Sequence, residues 1–318
     1  MLSNLIEIPL NLFDFEKDNW VFSNKSLKLM FYSLVLIMMR RISLIVIIFF
    51  SVTNVTAQTP EIGVFGGGAY YIGDLNPYAH FNQTNYAVGI VYRSNFDNER
   101  IALRIQAIYG QVEGNDAFSN DLNQLNRNLN FSSSILEIGP LIEINFIDYI
   151  VGDLSRKKFK FQTFYLLAGI TYFKMNPLGN YQGEAIELQP LATEGQETSQ
   201  NPSVKRYQLN QISIPLGVGY KFNVTKRFAI SLEYGIRKTF TDYIDDVSGR
   251  YPDLQLLSQE AGQLSAYMSD RTLNEEGYTD MNYGMSRGNS KNKDWYSFFG
   301  AILSFRIFDY ETCSKRFK

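Results

Sequence analysis

Apolar and polar residues alternate one for one along several stretches of the chain, the period of a strand with one greasy face. From Ile212 to Phe222 the even positions are Ile212, Ile214, Leu216, Val218, Tyr220 and Phe222, separated by Ser213, Pro215, Gly217, Gly219 and Lys221. The same parity from Arg227 to Phe240 carries Phe228, Ile230, Leu232, Tyr234, Ile236 and Phe240 against Ala229, Ser231, Glu233, Gly235 and Arg237. Asn223-Val224-Thr225-Lys226 lies between them as a tight turn, so the pair predicts a hairpin that is apolar on one side.

Six further segments repeat the pattern. Ile62, Val64, Tyr70 and Ile72 form one apolar row; Tyr86, Val88, Ile90 and Tyr92 form another; Ile101, Leu103, Ile105 and Tyr109 a third. Leu136, Ile138, Ile142, Ile144 and Phe146 follow, and Phe299, Ala301, Leu303, Phe305 and Ile307 close the series between Trp295 and Phe308. The segment from Phe159 to Phe173 is apolar on both sides in its middle, which leaves its facing open. Each of the eight segments is near the ~9–11 residues that cross a bilayer when tilted.

The connections alternate in length. Short turns follow the second, fourth and sixth segments, at Asn95–Asn98, Asp148–Lys158 and Asn223–Lys226. Longer loops follow the others, at Gly73–Thr84, Val112–Asn130, Lys174–Arg206 and about Asp242–Asp294. This is the asymmetry of periplasmic turns and extracellular loops. A soluble sandwich or lipocalin also alternates, but its greasy residues point inward and nothing forces the loop asymmetry. The expected fold is all-β: a transmembrane antiparallel up-and-down β-barrel of about eight strands over residues 58–308, set in Gram-negative outer-membrane lipid.

The amino terminus reads differently. Met39-Arg40-Arg41 is a basic start, Ile42 to Phe50 an apolar run, and Val55-Thr56-Ala57 a small-residue cleavage site, so residues 39–57 read as a signal peptide and Gln58 as the first mature residue. Joining Leu29–Met39 to Ile42–Phe50 as one membrane helix would place Arg40 and Arg41 mid-span, at roughly 2.5–3.5 kcal/mol each. Residues 1–38 carry Glu7, Asp14, Glu16 and Asp18 and read as an extension upstream of the true start. The tail 309–318 is expected in the periplasm.

Composition agrees with this picture. Of the 318 residues 45% are hydrophobic and only 19% charged, with 24 Phe, 21 Tyr and 23 Gly, a mix suited to strands that end at a water–membrane boundary. A formal net charge of −2 offers no basic surface for nucleic acid. Neither a cofactor nor a small-molecule substrate is expected.

Candidate chemistry is sparse. Arg100, Arg104, Glu137, Glu143, Lys221, Glu233, Arg237 and Arg306 have inward parity, and both signs are represented. A salt-bridge network filling a narrow lumen is the expectation, with a proton or ion path as its rival. Glu194, in the third outer loop, is expected to be dispensable for stability. Gly66-Gly67-Gly68 lacks phosphate-loop spacing and reads as a close approach between strands. His80, with Asp74 of the same loop and Asp242, Asp245 and Asp246 of the fourth, is the constellation for a rim enzyme, and a solvated loop histidine is the simpler reading. The same three aspartates lack EF-hand spacing and read as a solvated acidic loop rather than a calcium site.

Four stretches together resemble a known family. They are Gly66-Gly67-Gly68-Ala69-Tyr70-Tyr71-Ile72-Gly73-Asp74-Leu75-Asn76-Pro77, Leu188-Gln189-Pro190-Leu191-Ala192-Thr193-Glu194-Gly195-Gln196, Ile212-Ser213-Ile214-Pro215-Leu216-Gly217-Val218-Gly219, and Thr239-Phe240-Thr241-Asp242-Tyr243-Ile244-Asp245-Asp246-Val247-Ser248. In this order they resemble the PorG-like outer-membrane barrels, whose namesake belongs to the type IX secretion system. The resemblance implies a non-enzymatic eight-stranded barrel that joins the outer membrane to a periplasmic ring of lipoprotein and partner subunits. A structural or surface-binding barrel with long outer loops is the alternative.

Cys313 is the single cysteine. It is either an unreactive residue of the tail or the site of a disulfide to a periplasmic ring subunit. The disulfide reading predicts a high-mass band on non-reducing gels of envelopes lysed with thiols blocked, abolished by reductant and by Cys313→Ser. Monomer alone would overturn it.

Overall fold

A computed structural model describes residues 57–96, 99–154, 160–272 and 282–307. Ala57 and Gln58 stand at the first positions of β1. The rest of the expected signal peptide, the upstream extension and Cys313 lie outside the described residues.

Ten antiparallel strands form one sheet: β1 Ala57–Ile72, β2 Thr84–Phe96, β3 Ile101–Asn115, β4 Asn130–Asn145, β5 Gln162–Gly169, β6 Thr171–Tyr181, β7 Glu184–Glu187, β8 Asn210–Asn223, β9 Phe228–Thr239 and β10 Trp295–Arg306. Strands pair in turn around a ring, and β1 pairs with β10 from Glu61↔Arg306 to Ile72↔Trp295, so the sheet closes on itself. The ring has eight staves. β5 and β6 share one stave with a common register against β4 and β8, and β7 is a short addition to the outer end of β6.

The interruption between β5 and β6 originates in their neighbours. Register against β4 runs from Leu141↔Gly169 to Ile138↔Tyr172, which sets Pro140 opposite Ile170. Register against β8 runs from Ala168↔Leu216 to Thr171↔Ser213, which sets Pro215 opposite Gly169. Proline donates nothing to a ladder, and two of them flank this one point.

The rows read as apolar from the alternation face outward. Ile62, Val64, Val88, Ile90, Ile138, Ile142, Ile144, Leu166, Val218, Leu232, Leu303 and Phe305 are all exposed. Such an exposed apolar face in a closed ring is a lipid-facing belt, because closure satisfies every backbone group without water. Aromatic pairs mark its borders: Phe164 with Tyr220 and Phe228 with Phe305 at the turn end, Tyr86 with Tyr109 at the loop end. The uncertain stave takes the common parity. Thr163, Tyr165, Leu167, Thr171, Phe173 and Met175 point inward, and it reads as apolar on both faces because Leu167 packs in the lumen with Leu141 and Tyr165.

The outer loops carry structure that alternation does not reveal. The second holds α1, Leu122–Arg127; the fourth holds α2, Leu254–Ala261, and α3, Gln263–Ser269. Asp121 and Asp253 cap α1 and α2 by accepting from the amides of Asn123 and Leu256. Leu75, Leu129, Leu188, Ile244, Val247 and Met268 from these loops join Phe65, Ile108, Phe298 and Ile302 of the lumen in one apolar cluster. The loops therefore seat on the barrel as a packed cap.

The seam between first and last strands sets a steric limit. Gly67 faces Gly300, and a Cβ on Gly67 would lie 2.6 Å from the Gly300 Cα and nearer still to the Phe299 carbonyl oxygen. Gly67→Val should prevent closure. The unheated protein should then run at its fully denatured position on a detergent gel, whereas the native chain changes migration only on boiling. A heat-shifted Gly67→Val band would contradict this seam.

Candidate functional site

Two buried polar assemblies stand out, one inside the barrel and one in the cap. Strand parity delivers the first. Four cations, Arg93, Arg104, Lys221 and Arg237, and four carboxylates, Glu61, Glu137, Glu143 and Glu233, all point into the lumen and are almost fully buried. Glu143 is the hub, bonded to Arg93 at 2.8 Å, Lys221 at 3.0 Å and Arg104 at 3.3 Å. Arg93 continues to Glu61 at 3.0 Å, and Arg104 forks onto both oxygens of Glu233. Arg237 meets Glu137 at 3.2 Å and lies 4.6 Å from the Phe298 ring centroid.

Neutral donors complete the carboxylates' shells. Tyr165 donates to Glu233 at 2.7 Å, Tyr296 to Glu137 at 2.7 Å, Asn95 to Glu61 at 2.7 Å and Ser304 to Glu61 at 2.9 Å. The second turn folds beneath: buried Tyr149 donates to Asn223 at 2.6 Å, and the Lys221 ammonium sits 4.8 Å from its ring centroid. Equal numbers of opposite charges with dense hydrogen bonding are what a dry lumen requires.

Alternation placed Arg104, Glu137, Glu143, Lys221, Glu233 and Arg237 in one set, and the structure brings them together. Arg306 lies at the turn end, donating to the Val151 carbonyl at 2.7 Å. Arg100 is not inward: it precedes β3, is 60% exposed in its side chain, and pairs with Asp148 at 2.7 Å. Arg93 and Glu61 are absent from the expected set of inward charges. Arg93 shares the inward parity of Ala87 and Gly89, and Glu61 stands one place before the first apolar row, so parity alone would have found both.

The cap is the second assembly. Arg127 of α1 donates bidentately to Asp116 at 2.7 and 2.8 Å, and also to the carbonyls of Asp74 and Arg287 at 3.0 and 2.9 Å. Arg287 reaches Glu194 at 3.2 Å, Asp246 at 3.5 Å and the Ser269 carbonyl at 3.0 Å. These two guanidiniums join all four outer loops. Glu194, expected to be dispensable, is buried and accepts the amides of Ser248 and Gly249 at 2.8 and 2.9 Å.

Asp242, Asp245 and Asp246 do not form a solvated acidic loop. They are 2%, 1% and 1% exposed, and Arg287 and the third loop hold Asp246. Tyr207 and Thr193 donate to Asp246 at 2.7 and 2.5 Å; Tyr71 donates to Asp245 and, at 3.3 Å, to Asp294. Among the described residues no cluster of three acidic, histidine or cysteine side chains is placed to hold a metal ion. His80 is apart from this group: its Nδ1 bonds the Tyr70 hydroxyl at 2.9 Å, and that hydroxyl bonds Tyr234 at 2.6 Å.

Burial pushes the carboxyls of Asp242 and Asp246 up from 3.8 to about 6, and those of Asp245 and Asp294 well above the usual range. Arg287, Thr193 and Tyr207 oppose the shift at Asp246, and Ser248 and Lys293 oppose it at Asp242, without cancelling it.

A closed ring with an apolar exterior and a filled polar interior defines an outer-membrane β-barrel. By sequence the chain belongs to the family described as a domain of unknown function, DUF6089, whose pattern it matches over residues 40–266. No curated protein matches it. Solved structures similar to it include Neisserial surface protein A, at 8% identity over 78% of this chain and 97% of that one, TM-score 0.36. The attachment invasion locus protein of Yersinia pestis matches at 8% identity over 78% and 97%, TM-score 0.34. The outer membrane protein OprG of Pseudomonas aeruginosa matches at 10% identity over 77% and 95%, TM-score 0.31. The fold assignment rests on this chain's own closed sheet.

The lumen generates a stability prediction. Glu233→Ala leaves Arg104 only its longer contact with Glu143 at 3.3 Å, and breaking a buried pair costs about 3–5 kcal/mol. It should lower the unfolding midpoint clearly, and Glu194→Ala, which removes one of the two carboxylates on Arg287, should loosen the cap as well. The exposed Glu184→Ala should do neither, and equal, negligible effects of all three would contradict the placement.

The cap generates a pH prediction. The folded carboxyls of Asp242 and Asp246 bind protons more tightly than their unfolded counterparts, so their stabilising contribution is full below about pH 4 and is lost as pH rises through about 6. Hydrogen exchange of residues 240–272, corrected for intrinsic rates, should show weaker protection at pH 7.5 than at pH 5. Equal protection would contradict the shifts.

Proposed function

We propose that the protein is a non-enzymatic outer-membrane barrel that anchors or contacts a periplasmic secretion-machine ring, in the type IX manner implied by its resemblance to PorG-like barrels. The observation that supports an anchoring role best is the lumen. Four cations and four carboxylates cross-link six of the eight staves of the ring, which suits a rigid membrane post rather than a solute pore. The periplasmic rim carries the exposed pair Arg100 with Asp148, the pair Lys160 with Glu99, and the bond of Arg306 to the second turn.

The test is photocross-linking in intact envelopes from Leu154, an exposed residue of the second turn. The expected result is an adduct with a ring lipoprotein, together with loss of cargo secretion when the barrel is deleted. Secretion that continues without the barrel, with no ring adduct, would defeat the reading.

A second reading has its own observation. The Arg127 and Arg287 clasps give the outer loops a fixed shape, as a surface-binding barrel requires. Deleting residues 254–269 should then abolish surface binding while leaving the ring adduct intact.

A further inference from the structure

We propose that a cleft between the first and second outer loops binds a neutral saccharide. The cleft has a volume of about 410 Å³, within the roughly 300–1,000 Å³ of small-molecule sites. It lies at the loop end of β1 to β3, beside the charged clasp rather than within it. The inference stands apart from the secretion reading, since it concerns the opposite side of the membrane.

The lining has a distinctive chemistry. Six of its thirteen residues carry carboxamides, and Asp121 is the only charged residue among them. No lysine or arginine lines it, so phosphate, sulfate and uronate groups would find no counter-ion. Carboxamides such as those of Asn82 and Asn120 each offer two donors and an acceptor, which matches the paired donor and acceptor character of sugar hydroxyls.

Two aromatic rings complete the site. Tyr78 is 88% exposed and Phe118 is 71% exposed. One comes from each loop, and both line the same cleft. A pyranose presents an axial C–H face that packs on such a ring while its equatorial hydroxyls reach the flanking carboxamides.

The cleft is also built to hold its shape. Asn76 donates to the carbonyls of Tyr71 and Ala79, each at 2.8 Å, and accepts from the Ala79 amide at 3.1 Å, fixing the segment that carries Tyr78. Gln124 donates to the Asp74 carbonyl at 2.8 Å, tying the second loop to the first. Phe81 and Gln83 adopt φ of 60° and 47°, a left-handed conformation that costs free energy in residues other than glycine. Asn82, between them, lines the cleft. A preformed site loses little entropy on binding.

The experiment uses the full mature chain, folded in detergent and checked by its heat-dependent gel shift. Saturation-transfer NMR and calorimetry would be run with maltotriose, cellobiose and chitotriose, with trigalacturonate as the anionic probe and Ala-Tyr-Ala as a peptide probe. At least one neutral saccharide should bind, in preference to the other two probes. Tyr78→Ala and Phe118→Ala should each weaken it about tenfold, a loss of about 1.4 kcal/mol. Val204→Ala, on the third loop, should leave it unchanged. The proposal is overturned if none of the neutral panel binds, if trigalacturonate or the peptide binds better, or if both ring variants bind undiminished.

Discussion

A charge placed inside a narrow membrane barrel has neither bulk water nor lipid headgroups to solvate it, so its partner must arrive on another stave. Glu143 of β4 meets this constraint with Arg93 of β2, Arg104 of β3 and Lys221 of β8. Each ion pair is thus also a cross-brace between strands, several of them distant in sequence. Arg104 with Glu233 of β9 spans 129 residues, and Arg237 with Glu137 spans 100. The order of the ring, the parity of every strand and the position of the seam must all be right for these eight groups to neutralise one another. A register slip of one residue would send each charge into lipid.

The same logic extends upward with different partners. Where the lumen turns apolar, the loops descend and close it with Leu75, Ile244, Val247 and Met268. Above that plug, Arg127 and Arg287 hold buried carboxylates and backbone carbonyls from four loops. The cap differs from the lumen in one respect. Its acids outnumber its arginines, and burial raises Asp242, Asp245, Asp246 and Asp294. The lumen is a balanced network, whereas the cap retains a dependence on protons.

The barrel was legible in the sequence because its rule is local. One greasy face at a period of two is visible in eleven residues, and parity then assigns Arg104, Glu143, Lys221 and Glu233 to the lumen without any knowledge of their partners. Parity also failed informatively. Arg100 lies one residue outside β3, where alternation no longer applies, and so faces water with Asp148. The break at Ile170 was not legible from its own segment, since its cause is Pro140 and Pro215 on the adjoining strands. The cap was least legible of all. Asp242, Asp245 and Asp246 look like a polar loop, but Asp246 is held by Arg287, Thr193 and Tyr207 and Asp245 by Tyr71, all from distant parts of the chain. No local period encodes such a contact.

The central claim is that the lumen charges stabilise as pairs and not as individual side chains. A double-mutant cycle on Arg237 and Glu137 in folded, detergent-solubilised barrel tests it most directly. Arg237→Met and Glu137→Leu each leave a buried charge unpaired, and each should lower the denaturant midpoint strongly. The double substitution removes both charges and should be less damaging than either single one. If the double variant instead loses the sum of the two single losses, the charges do not act as a pair and the account is contradicted.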